Sequence, residues 1–61
     1  MIVRRFIQSK SGKWYFLERS ARVTKLTKEN GYVIAKWDNK DIDKKHGDME
    51  NQVEYFQNIL D

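Results

Sequence analysis

Asn30-Gly31 constrains this chain more than any other pair of residues in it. Both residue types accept positive φ, and here they separate two apolar, β-branched runs, the pattern of a β-hairpin. Antiparallel sheet must therefore surround them. A two-residue loop would set Lys25 opposite Lys36, a repulsive cross-strand pair. A three-residue loop of Glu29, Asn30 and Gly31, with the glycine in a bulge, pairs Leu26 with Ile34 and Val23 with Trp37 instead. That register is the expected one.

The flanking segments extend the sheet. Residues 2–8 are β-branched and aromatic, and Ser9-Lys10-Ser11-Gly12 reads as a turn. Residues 13–26 read as one long strand with a bend or bulge near Ser20-Ala21. A rival helix from Ser20 to Asn30, stopped by Gly31, is disfavoured because Val23, Thr24 and Thr27 lose rotamer freedom in a helix. Residues 32–37 form the third strand. Residues 38–47 are a polar, charge-mixed connection in which Ile42 is the only large apolar side chain.

Asp48 is then the expected N-cap of a helix, with Glu50 in its first turn. Met49, Val53, Phe56 and Leu60 make one apolar stripe, which Ile59 widens, with Tyr55 at its margin. The expected fold is α+β: a three-stranded antiparallel β-meander (residues 2–8, 13–26 and 32–37) packed against one C-terminal α-helix (residues 49–60). It forms a single domain over residues 1–61.

A chain of 61 residues buries only about 60% of the surface its unfolded form exposes, so its stability is marginal. Having no cysteine, it lacks disulfides and thiolate zinc sites. Eight aromatic residues supply the core instead: Phe6, Trp14, Tyr15, Phe16, Tyr32, Trp37, Tyr55 and Phe56. The helix stripe could also serve as a homodimer seam, though an intramolecular core is its expected use. No apolar run approaches the 18 or so residues of a membrane span, and no charged-then-apolar leader opens the chain. Met1 reads as a native start, and the expectation is a complete cytoplasmic protein with no membrane partner.

Catalytic chemistry finds little to work with. His46, the only histidine, sits in a polar stretch beside Gly47, and Ser9, Ser11 and Ser20 read as turn residues. Asp38, Asp41, Asp43 and Asp48 form an acidic cluster, but a calcium loop beginning at Asp41 would put Lys45 at a ligand position and His46 where glycine is required. No glycine-rich phosphate loop is present, and a chain this short does not easily enclose a substrate pocket. The expectation is a non-enzymatic binding module with no cofactor, no metal and no small-molecule substrate.

Charge points to the partner. Residues 1–28 carry eight cations against one anion, a net of +7, and residues 29–61 carry four against eight, a net of −4. Lysines on a solvated sheet also block edge pairing, so part of this asymmetry needs no ligand. Basic residues interleaved with aromatics nevertheless suit a polyanion. The candidate set is Arg4, Arg5, Lys10, Lys13, Trp14, Tyr15, Arg19, Arg22 and Lys25, with cations on phosphates and Trp14 or Tyr15 stacking on bases or sugars. In strand order and in the Gly12-Lys13-Trp14 opening of its second strand, the chain resembles the arm-binding domains of tyrosine recombinases. In size and basicity it is similar to small archaeal chromatin proteins. Both resemblances imply DNA binding.

Nucleic acid, DNA or RNA, engaged mainly through backbone phosphates, is the slightly favoured partner. The alternative is an inhibitor or adaptor of phage or mobile-element type. It would bind a larger host protein through exposed aromatic and arginine residues, the types that anchor protein interfaces.

Overall fold

In the computed structural model, which describes residues 2–60, the chain runs β1 (Val3–Gln8), β2 (Trp14–Arg19), β3 (Val23–Lys28), β4 (Val33–Asp38), α1 (Asn39–His46) and α2 (Met49–Ile59). Met1, read above as the native start, and Asp61 lie outside the described residues. The strands form one antiparallel sheet in the order β1-β2-β3-β4. The α+β class and the meander are as expected, but there are four strands and two helices rather than three strands and one helix.

The extra strand comes from a reversal where a bend was expected. At Ser20-Ala21-Arg22 the chain turns back, closed by the Ser20 N–H donating to the Val23 carbonyl at 2.9 Å, so residues 13–26 divide between β2 and β3. Asn39 holds this turn from far along the chain. Its backbone N–H donates to the Arg22 carbonyl at 2.8 Å and its side-chain amide to the Ser20 carbonyl at 2.8 Å. Its Oδ1 accepts from the buried Thr24 hydroxyl at 2.6 Å. A buried amide with its donors and acceptor so engaged is costly to disturb.

The rival helix between residues 20 and 30 does not form, as expected, and β3 occupies that stretch; the connection expected over residues 38–47 is largely α1. Ile42 buries completely and anchors it, and basic residues fill its last turn. Gly47 ends α1 at a φ of +80° that a side chain would strain, and its N–H caps the Asp43 carbonyl at 2.8 Å. Asp48 then caps α2 as expected, its carboxylate accepting from the Asn51 N–H at 3.0 Å. Helix α2 stops one residue short of the expected end, with Leu60 as its C-cap.

Loop length and register come apart. The hairpin loop is the expected three residues: Lys28 and Tyr32 flank it, and Gly31 takes a φ of +92°. A bulge next to Leu26 and Thr27 then shifts the pairing by one residue. Leu26 faces Ala35, Lys25 faces Lys36 and Val23 faces Asp38, not the Leu26–Ile34 and Val23–Trp37 pairs expected. A one-residue slip turns every later side chain of β4 to the other face. It carries Trp37 to the helix side, where its ring lies 5.1 Å from that of Phe56. The like-charge pair is the cost of burying the tryptophan.

The core lies between the sheet and the helices: Ile7, Tyr15, Leu17, Leu26, Ile42 and Phe56, with Ala35, Trp37, Met49, Val53 and Leu60 packed around it. The α2 stripe is thus used inside the molecule. Ile59 does not widen it: on that side of the helix Gln52 is buried, while Ile59, two turns on at the end of α2, faces solvent, as Tyr55 does at the margin. No helix among the described residues is long and apolar enough to cross a membrane.

Candidate binding surface

Strand alternation sorts the sequence-predicted residues onto two faces. On the helix side, cross-strand rows run Val3–Arg19–Thr24–Trp37, Arg5–Leu17–Leu26–Ala35 and Ile7–Tyr15–Lys28. On the open side they run Arg4–Glu18–Lys25–Lys36, Phe6–Phe16–Thr27 and Gln8–Trp14.

Three of the candidate residues therefore lie under the helices or inside the core. Arg5 makes a two-pronged ion pair with Glu50 of α2. Arg19 does the same with Asp43 of α1, at 2.6 and 2.8 Å. The hydrogen bonds from Arg19 hold the Asp43 carboxyl below its ordinary range, aided by the Gln52 amide at 2.8 Å and opposed by partial burial. Those from Arg5 hold the Glu50 carboxyl down in the same way, and both guanidiniums are raised in turn. Tyr15 is only 6% exposed and belongs to the core, so its ring is not presented for stacking. The charge asymmetry between the two halves of the chain is thus partly consumed in docking helices to sheet.

The open face gathers a different set. Arg4 stands there, with its guanidinium 2.9 Å from Glu18 and 5.0 Å from the centre of the Phe16 ring. Phe6 and Trp14 are 66% and 46% exposed, well above what a core role leaves. The Phe6 and Phe16 rings meet edge to face at 6.0 Å. With Trp14 and Glu29 they line an open groove of about 460 Å³. One row away along the strands, Lys25 and Lys36 stand directly opposite each other; Glu18 faces Lys25 from β2 but pairs with Arg4, and among the described residues neither lysine is in an ion pair or side-chain hydrogen bond.

The remaining candidates frame this face from its ends. Lys10 and Lys13 belong to the β1–β2 turn, and Lys13 lines a second open groove with Trp14, Lys28 and Asn30. Arg22 lies at the opposite end, in the β2–β3 turn.

Three residues of this surface fell outside the candidate set: Phe6, Phe16 and Lys36. The available signal was parity. Once Leu17 points inward, Phe16 must point outward, and Phe6, its cross-strand partner, goes with it. Lys36 carried no such signal, because the β4 bulge decides its face.

No family model, curated protein or solved structure matches this chain.

Proposed function

We infer that this protein is a non-enzymatic nucleic-acid-binding module that works through the open face of its sheet. Arg4, Lys25 and Lys36 engage backbone phosphates, with Lys10 and Lys13 at one end, and Phe6, Trp14 and Phe16 offer apolar contact beside them. The observation that carries this reading is the Lys25–Lys36 pair. Like charges directly opposite on a sheet destabilise it by some tenths of a kcal/mol, and an anion bound between them converts that cost into affinity. The reading does not use Arg5, Arg19 or Tyr15, which serve the fold.

The test is binding of fluorescently labelled DNA and RNA at low salt, followed by anisotropy. The expected result is measurable affinity that falls as salt rises and is lost in the double variant Lys25→Glu, Lys36→Glu. Affinity unmeasurable for both nucleic acids at low salt would end this reading.

A second reading, a protein partner, is favoured by one observation: the Phe6–Trp14–Phe16 groove is apolar enough to seat a side chain from another protein. It predicts a complex that survives nuclease and depends little on salt.

A further inference from the structure

Resting on the nucleic-acid reading, we propose that the ligand is an unpaired strand rather than a duplex, with its bases in the Phe6–Trp14–Phe16 groove and its phosphates toward Lys25 and Lys36.

A duplex keeps its bases stacked inside and presents rows of phosphate to a protein. Proteins that read it insert a helix or a β-ribbon into a groove, or spread many cations along the backbone. The open face has neither provision. Four strands lie side by side, about 14 Å across from first to last at the usual strand spacing. The helices lie on the other side of the sheet, and its one row of cations, Arg4, Lys25 and Lys36, is interrupted by Glu18, which pairs with Arg4.

The groove itself excludes phosphate. Its rings are apolar, and the one charged residue lining it is Glu29, which repels an anion. What fits such a groove is the uncharged part of a nucleotide, its base, and only an unpaired base is free to enter. Exposed aromatic side chains on a sheet are the usual means of holding such bases, two or three at a time. The nearest ring and amine belong to Phe16 on β2 and Lys25 on β3, one strand and two residues apart, about 8 Å between their backbones. One nucleotide can span that gap with its base on the rings and its phosphate toward the amines.

The decisive experiment titrates the full chain with a labelled 12-nucleotide single strand of mixed sequence and with the matching duplex, both at low salt. The single strand should bind at least tenfold tighter, and its log–log salt slope should lie between about −1.4 and −2.1, as two or three neutralised phosphates require. Phe6→Ala should weaken single-strand binding about tenfold or more. Phe6 is mostly exposed, so this variant should retain the wild-type circular dichroism spectrum. Should it not, Phe6→Leu removes the ring while keeping apolar volume and serves the same purpose.

Duplex binding as tight as single-strand binding overturns this inference and leaves the nucleic-acid reading standing. So does single-strand affinity that is indifferent to loss of the Phe6 ring. Failure of both ligands to bind overturns the inference and the reading beneath it together.

Discussion

On the helix-covered face of the sheet Arg5 meets Glu50 and Arg19 meets Asp43, whereas on the open face only Arg4 has a carboxylate, Glu18, and Lys25 meets Lys36. The two faces drew on the same basic stretch of chain. On the covered side the acidic helices bring a carboxylate to each guanidinium, and both pairs keep a good part of their surface in water. On the open face water screens the charges, so a repulsive pair survives at small cost. Net charge along the sequence therefore overstates what is available to a partner. The informative cations are those the fold leaves without a carboxylate.

The aromatic residues divide in the same way. Tyr15, Trp37 and Phe56 fill the space between the layers, and Phe6, Trp14 and Phe16 line a groove on the outside. In a chain short of apolar residues, three large rings left outside the core represent stability forgone. That makes the open face the place to look for function.

Substitutions can break this division. The largest effect is expected on the covered face. Leu17 has no exposed surface, and Leu17→Ala should cost about 2–5 kcal/mol by loss of burial and creation of a cavity. A domain of this size has roughly 3–9 kcal/mol of total stability, so the variant should be largely unfolded in thermal melts followed by circular dichroism. Phe6→Ala on the open face should shift the same melt far less. Equal shifts would mean that the open-face rings are core after all.

Next in size is Asn39→Ala, which strands the buried Thr24 hydroxyl and the Ser20 carbonyl. A loss of about 1–3 kcal/mol is expected in urea denaturation. A cost near zero would mean that the β2–β3 turn closes without its distant support.

Lys36→Glu should act in opposite directions on stability and binding. Facing Lys25, the new carboxylate replaces repulsion with attraction and should stabilise the sheet by about 0.2–1 kcal/mol. The same change should weaken nucleic-acid binding. A variant that gains stability and keeps its affinity would detach the lysine pair from function.

The smallest effect concerns acid. Asp43 and Glu50 have folded-state pKa values below their ordinary 3.8 and 4.5, so the pairs contribute stability above those ordinary values. That contribution disappears as pH falls through the lower, folded values. Between pH 7 and 5 these groups should leave the melting temperature unchanged, with a decline that sets in at about pH 4.5 and deepens below it. Arg19→Gln should make that decline shallower; parallel curves for variant and wild type would show that the pair adds nothing, as many exposed pairs do.

Local signals carried well where the chemistry was local. Asn30-Gly31 marked its loop to the residue: of the pair Gly31 alone takes the positive φ, and the Asn30 side chain accepts from the Tyr32 N–H two residues on. Asp48 announced α2, and the spacing of Met49, Val53 and Phe56 identified the face that packs. The α+β class and the antiparallel meander follow from such features taken in order, as does the existence of a basic and aromatic segment.

What the tertiary structure decided was every choice resting on a residue distant in sequence. The reversal at Ser20–Arg22 is fastened by Asn39, and α1 exists because Ile42 finds the core, not because its own residues demand a helix. The β4 bulge seats Trp37 against Phe56 and thereby turns Lys36 outward to face Lys25. A single residue of slip determines which side chains of a strand meet water. Packing against another layer sets that slip, so the candidate surface became definite only once the helices had taken their side of the sheet.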